Sequence, residues 1–265
     1  MTVDSPETFH KRPSEPTQRA VQTAPKRYVQ ERNEEVNNTQ KGFTLIEIAI
    51  VLVIIGLLLG GVVKGQEMIS SSRARSVISQ QDGIKAAFFG FQDRYRALPG
   101  DYGAADSNIN CGASPCMNGN NNSYIEAAAT GTVVHEDILA WSHLSAAGFL
   151  SGHYVMANAS VAVPDETNTP KNPYQMYLQL GYDTNWGVAG NTIKRHNVKT
   201  GSLLPVELLA EMDRKVDDGK PYAGAFQFSP YAPGSVVAPD STKCVSSLEW
   251  NVLGAETDCG AANVL

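Results

Sequence analysis

The sequence predicts an α+β protein in which a long N-terminal helix packs on an antiparallel-sheet head. An apolar run occupies residues 43–63, and an amphipathic helical pattern continues over residues 64–98. Short alternating segments separated by turns follow in residues 99–265. These patterns predict a helix whose second half lies against a globular domain.

Residues 1–42 precede the apolar run, and we expect them to form a disordered cytoplasmic leader. They contain four prolines, seven basic and six acidic residues, but few apolar side chains. Such a segment cannot bury enough apolar surface to offset the entropy of ordering. The rest of the chain has a net charge of −7, so we expect no nucleic-acid partner, since nucleic-acid modules usually concentrate positive charge.

The apolar run, FTLIEIAIVLVIIGLLLGGVV, contains a single ionisable residue, Glu47. As a helix it would be about 31 Å long, which matches the hydrocarbon core of a bilayer. Basic residues precede it at Arg27, Arg32 and Lys41, which favours a cytoplasmic N-terminus. A cleaved secretory signal would be shorter, but an ordinary signal anchor stays open. Neither explains Glu47, because an unpaired carboxylate in a membrane is costly.

The sequence KGFTLIE at residues 41–47 closely resembles the processing site of type IV prepilins and pseudopilins. That site has Gly before the cut, Phe after it and Glu at the fifth mature position. The resemblance implies that a prepilin peptidase removes the leader between Gly42 and Phe43 and methylates the new amine. It implies that Glu47 pairs with the amine of a neighbouring subunit and so directs assembly.

The resemblance further implies an inner-membrane precursor with a periplasmic head and a pilus or periplasmic filament after assembly. Its partners would be membrane lipid, other pilin subunits, the peptidase, a platform protein and an assembly ATPase. Two features depart from the family: the leader is unusually long, and no Pro follows the first part of the helix. Small residues at Gly56, Gly60, Gly61 and Gly65 suit either close helix packing or the general tolerance of Gly in membranes.

The continuation of the helix over residues 64–98 has one apolar face. Its members recur at helical spacing: Val77, Ile84, Phe88, Phe91, Tyr95 and Leu98. We expect this face to be core and Pro99-Gly100 to end the helix.

All four cysteines lie beyond the apolar run: Cys111, Cys116, Cys244 and Cys259. An even number in an exported domain predicts two disulfides. Of the three pairings, we favour Cys111 with Cys116 and Cys244 with Cys259, because short loops close at lower entropic cost. Free buried thiols are the alternative.

Two further helices are expected in the head, over residues 134–147 and 205–216. Strand patterns are expected at residues 153–156, 174–180, 192–198 and 225–228. The polar stretch at residues 118–122 is interpreted as a solvated turn in preference to a calcium-binding or adhesive loop.

Two clusters raise the question of a metal. His135, Glu136 and His143 are suitable ligand types, but their spacing does not match a zinc protease motif. Asp213, Asp217 and Asp218 could bind a hard cation such as calcium, which some pseudopilins use. We favour a solvated helix end and expect no cofactor and no catalytic residue.

The leading hypothesis is a structural subunit of a type IV pilus, of a minor or specialised kind. A pseudopilin of a type II secretion system shares the N-terminal motif and remains the nearest alternative. A signal-anchored exported enzyme is a third class, disfavoured because the sequence shows no nucleophile or metal constellation.

Overall fold

The computed structural model describes residues 42–112, 116–127, 134–159, 161, 163–234 and 236–265. Most of the predicted leader therefore lies outside the described residues. The chain divides into two units, residues 1–51 and residues 52–265. Helix α1, Leu45–Tyr95, begins in the first unit and ends in the second.

In the first unit, residues 42–44 lack regular structure and lead into the start of α1. Every described side chain of this unit is exposed. The helix begins after Thr44, whose carbonyl accepts a hydrogen bond from the Ile48 N–H at 3.3 Å.

In the second unit, the sides of α1 are mostly exposed up to residue 73, and one face is buried beyond it. The buried positions lie on one face of the helix: Ala74, Val77, Gln81, Ile84, Ala87, Phe88 and Phe91. The expected apolar face is confirmed, with Tyr95 only partly buried. The helix ends at Tyr95, three residues before the expected last residue Leu98, because Arg96 adopts a left-handed conformation (φ 54°).

The described residues of the head include four shorter α-helices and one 3₁₀ turn. They are α2 (Ala105–Asn108), α3 (Glu136–Ala146), α4 (Val206–Val216), α5 (Ser241–Cys244) and the 3₁₀ turn Val252–Gly254. Helices α3 and α4 are the two that the sequence predicts. Pro205 precedes α4 with an extended conformation (φ −60°, ψ 138°) that suits a helix start.

An antiparallel sheet of four strands completes the core, in the order β1-β2-β6-β3. The strands are β1 (Gln179–Asp183), β2 (Arg195–Lys199), β3 (Phe226–Phe228) and β6 (Ala261–Val264). A separate two-stranded ribbon pairs β4 (Val245–Ser246) with β5 (Glu249–Trp250). The arrangement of a long apolar helix followed by an antiparallel sheet confirms the predicted α+β, pilin-like layout.

Several strand expectations were wrong in position. Residues 153–156 form no strand, and of residues 174–180 only the last two belong to one. In the second case the Asn172 side chain accepts hydrogen bonds from the Tyr174 and Met176 N–H groups at 2.8 and 3.0 Å, which bends the chain into turns. The central strand β6 was missed because its sequence, AANV, lacks the bulky alternation that marks a strand.

The core has two main clusters along the buried face of α1. Ala74 and Val77 pack with α4, β3 and the ribbon. Ile84, Phe88 and Phe91 pack with α3 and strands β1 and β2, where Trp141, Leu180 and Val198 are fully buried or nearly so.

Candidate assembly segment and the supports of the head

The start of α1 is closed by a reciprocal pair of hydrogen bonds between Thr44 and Glu47. The Thr44 N–H and hydroxyl donate to Glu47 Oε2 at 2.7 and 2.9 Å. The Glu47 N–H donates back to Thr44 Oγ1 at 3.3 Å. This is a capping box, which satisfies backbone donors that the first helical turn leaves free.

The capping box holds the Glu47 carboxylate at the N-terminal end of the helix. The carboxylate therefore points back along the chain towards Thr44, the residue that follows Phe43. Phe43 itself is 83% exposed. The peptide bond between Gly42 and Phe43 consequently lies in accessible, non-helical chain directly ahead of the only ionisable side chain of residues 43–63.

Gly42 is not required by the fold of the described chain. No atom lies within 4 Å of the position that a Cβ would take at Gly42. The same holds for Gly56, Gly60, Gly61 and Gly65. The described chain therefore gives no steric reason for glycine at these five positions.

The first part of α1 exposes nearly all of its large apolar side chains. Among them are Leu45, Leu52, Val53, Leu57 and Val63, each more than 60% exposed. By length and composition this helix can cross a membrane, and none of its most apolar window is buried within the protein. An apolar surface of this kind suits contact with lipid or with other protein chains.

Two disulfides fix loops of the head. Cys111 is bonded to Cys116, and Cys244 to Cys259, the two local pairs that the sequence favours. Cys244 and Cys259 are fully buried, and Cys259 lies two residues before the central strand β6. The second disulfide therefore ties the end of the chain to α5 where the sheet is completed.

The predicted carboxylate cluster does converge at the end of α4. One oxygen of each of Asp213, Asp217 and Asp218 lies within 4.8 Å of the others. Each carboxylate also accepts hydrogen bonds from the protein itself: Asp213 from Trp250 Nε1 at 2.7 Å, Asp217 from the Phe226 N–H at 3.0 Å, and Asp218 from the Lys220 N–H at 2.8 Å. Burial raises the pKa of Asp213 to about 6. These carboxylates therefore brace the turn after α4 and the edge strand β3.

His143 is a structural tie within the head. Its Nδ1 accepts a hydrogen bond from the Gly100 N–H at 3.0 Å, so Nε2 carries the proton and donates to the Met117 carbonyl at 2.8 Å. The ring stacks on Phe91 with 6.1 Å between centroids. Burial lowers the pKa of His143 to about 4, which keeps the imidazole neutral.

Buried carboxylates hold the loop that follows α1. Asp101 accepts hydrogen bonds from the N–H groups of Asn122 and Ser123 at 2.8 and 2.9 Å. Glu136, which is fully buried, accepts from the Asn120 N–H at 2.9 Å. Burial raises the pKa of Glu136 to about 7. The polar stretch at residues 118–122 is thus a turn pinned to α3, rather than a freely solvated one.

Sequence reasoning missed two features. Thr44 was not singled out, although Thr44-Leu45-Ile46-Glu47 fits the S/T-x-x-E signature of a capping box. The buried ion pair between Lys199 and Asp183 was also missed. No local pattern marks that pair, because it depends on the register in which β1 and β2 meet.

The family comparison matches the N-terminal segment. Residues 37–63 match the model of the prokaryotic N-terminal methylation motif. This is the prepilin-type motif of type IV pilins and pseudopilins, which are structural proteins and not enzymes. The motif implies assembly with other pilins and processing by a prepilin peptidase, and with the apolar helix it fits membrane anchoring. No curated protein and no solved structure matches the chain.

Proposed function

We propose that the chain is a structural subunit of a type IV pilus, of a minor or specialised kind. It enters the inner membrane as a precursor with its head in the periplasm. A prepilin peptidase cuts after Gly42, and a platform protein with an assembly ATPase moves the mature subunit from lipid into the fibre. The chain catalyses no reaction.

The observation that carries this proposal is the position of Glu47. It is the single ionisable residue of a membrane-length apolar helix, and its carboxylate is turned towards the proposed cleavage point. A carboxylate in low dielectric needs an opposite charge or strong hydrogen bonds. Cleavage would create a cation, the Phe43 amine, at this end of the helix.

The capping box suggests how the subunit exists before assembly. In the isolated chain Thr44 supplies the donors that Glu47 needs, so the carboxylate is satisfied without a second subunit. During assembly the Phe43 amine of a neighbouring subunit offers a stronger, charged partner. Glu47 then sets the position of the incoming subunit along the fibre axis.

Replacement of Glu47 tests the proposal. Glu47→Ala should leave cleavage intact but prevent most incorporation into fibres, because the buried amine of the neighbour loses its counter-charge. Cleavage is read from the intact mass of the membrane fraction, and incorporation from the sheared fibre fraction.

Glu47→Gln is the matched control for the capping box. Gln occupies the same helical position and can reproduce the cap, but it carries no charge. The proposal requires that Gln fails like Ala. Normal assembly of either variant, or an uncut N-terminus in the wild-type chain, would contradict it.

A pseudopilin of a type II secretion system is the second candidate. Some pseudopilins use calcium, and the convergence of Asp213, Asp217 and Asp218 at the end of α4 favours this candidate because three carboxylates could bind such a cation. Deletion of the gene separates the two roles. Loss of surface fibres, twitching or DNA uptake supports the pilus, and loss of secreted enzymes with fibres intact supports the pseudopilin. The sequence favours a solvated helix end over a calcium site at the three carboxylates, and thermal unfolding with added calcium or magnesium checks this expectation.

A further inference from the structure

A buried lysine on the central part of the sheet has an unusual set of contacts. Lys199 on β2 is fully buried. Its Nζ contacts Asp183 Oδ2 and donates to Gln179 Oε1 at 2.8 Å, both on the neighbouring strand β1. On the remaining side the ring of Tyr231 lies 5.5 Å from Nζ.

Such an ion pair is costly to keep charged. Taking an ammonium out of water costs several kcal/mol, and the attraction of one carboxylate often fails to offset it. Burial accordingly lowers the pKa of Lys199, against the opposing effect of Asp183. Nζ becomes nucleophilic when it loses a proton, and Asp183 Oδ2, which Nζ contacts, can accept that proton.

The neighbours of this pair orient both reacting groups. Gln179 Oε1 accepts a hydrogen bond from Nζ and so fixes the direction of the amine. Asn197 Nδ2 donates to the other carboxylate oxygen, Asp183 Oδ1, at 3.3 Å, where it can stabilise negative charge. The Asp183 side chain is 33% exposed while that of Lys199 is 0% exposed, so a leaving water molecule has a path to solvent.

We propose that Lys199 and Asp183 condense to form an intramolecular side-chain amide that links β2 to β1. This modification site does not depend on the role of the N-terminal segment.

The reaction balances within the pair. The neutral Nζ attacks Cγ of the protonated Asp183 carboxyl group, and the carbonyl electrons move to Oδ1, beside the Asn197 donor. The second Nζ proton passes to the hydroxyl on Cγ, the C–O bond breaks, and one water molecule leaves. An N–C bond replaces a C–O bond, no oxidation occurs and no co-reactant is consumed.

The structure selects Asp183 over the other carboxylate nearby. Asp137 of α3 accepts a hydrogen bond from Gln179 Nε2 at 3.0 Å, so Gln179 separates it from the amine. Asp137 is therefore a positioning residue, which orients Gln179 and through it Lys199.

The product would close the loop between β1 and β2 with a bond that reducing agents do not break. The two disulfides of the head lack this resistance. The link would hold residues 184–194 to the sheet under conditions in which the disulfides open.

Mass spectrometry of the full chain, purified from membranes in detergent and reduced, tests the proposal. We expect the intact mass to fall, by one water molecule, below the mass calculated for the chain with whichever N-terminus peptide mapping finds. Proteolysis should release a branched peptide in which the Lys199 and Asp183 segments are joined. A wild-type chain at its full mass overturns the proposal.

Lys199→Arg is the matched control, since Arg keeps the positive charge but does not condense with a carboxylate in this way. Its mass deficit should vanish. A deficit that persists in this variant would place the water loss elsewhere, for example in an aspartyl succinimide, and would overturn the proposal. If the variant folds poorly, the branched peptide of the wild-type chain still decides the question.

Discussion

Two stretches of the same helix treat their apolar residues in opposite ways. Residues 45–63 of α1 expose large apolar side chains on every side, whereas residues 74–95 bury one face and expose the other. In the second stretch α3, α4 and the sheet cover the buried face. In the first, no other part of the described chain covers the apolar side chains. Both stretches are rich in apolar residues, so apolar content does not distinguish them. The difference lies in the periodicity: apolar residues on one face of the helix predict packing against the same chain, whereas apolar residues on all sides do not.

The two parts also differ in how they accommodate a carboxylate. Glu47 lies on an exposed apolar helix and is held only by Thr44, within its own first turn. Glu136 is fully buried and is held by backbone N–H groups of a loop that precedes its helix. The first carboxylate remains available to a new partner, whereas the second belongs to the folded head.

The largest expected effect comes from truncating the buried face of α1. Phe91→Ala removes a fully buried ring that contacts Tyr95, His143 and Phe149. We expect the free energy of unfolding of the head to fall by about 3–5 kcal/mol, through lost transfer energy and the cavity left behind. Chemical denaturation in detergent, followed by tryptophan fluorescence, measures it.

Leu58→Ala is the matched control in the exposed stretch, where the side chain is 62% exposed. It should leave the unfolding of the head unchanged, because Leu58 belongs to none of the core clusters of the head. An equal fall in the free energy of unfolding in both variants would contradict the distinction between a stretch that packs on the head and one that does not.

The sequence predicted those parts of the fold that repeat a local pattern. The three long helices follow apolar periodicity, and both disulfides follow from short spacing. The central strand β6 escaped prediction because Ala261 and Ala262 are buried by their place between β2 and β3, not by their size. A four-residue strand of small side chains has no periodic signal of its own.

The candidate site residues likewise divide into those that a local sequence pattern identifies and those whose roles depend on distant partners. Gly42, Phe43 and Glu47 lie close together in the sequence, so a short motif is enough to identify them. The roles of His143 and Asp213 depend on partners far along the chain, Gly100 and Trp250. Sequence reasoning recognised these residues as unusual but could not supply the partners, because no local rule sets which loops meet.

The next largest effect concerns the pH dependence of the buried carboxylate. Since burial raises the pKa of Glu136 to about 7, the folded head binds a proton that the unfolded chain releases near pH 4.5. Its contribution to stability is complete below that pH and is lost as the pH rises towards 7. Glu136→Gln removes this loss, which amounts to up to about 3 kcal/mol.

The measurement is the difference in unfolding free energy between Glu136→Gln and wild type at several pH values. This difference cancels the contributions of two other groups that both proteins share. The stability contribution of Asp213 also falls with rising pH. That of His143 falls as the pH drops from 6.5 towards 4. The difference should grow from pH 4.5 to 7. Glu249→Gln, at an exposed position, is the control and should give a flat difference.

The smallest expected effect tests whether the cap at the start of α1 contributes to assembly. Thr44→Val keeps the shape of the side chain but removes the hydroxyl that donates to Glu47 and accepts from its N–H. Loss of such a cap weakens a helix start by about 1 kcal/mol, so we expect a modest fall in fibre yield with cleavage unchanged. Thr44→Ser restores the hydroxyl and should restore the yield. If Val and Ser behave alike, Glu47 reaches its position in the fibre without help from Thr44, and the neighbouring amine alone orients it.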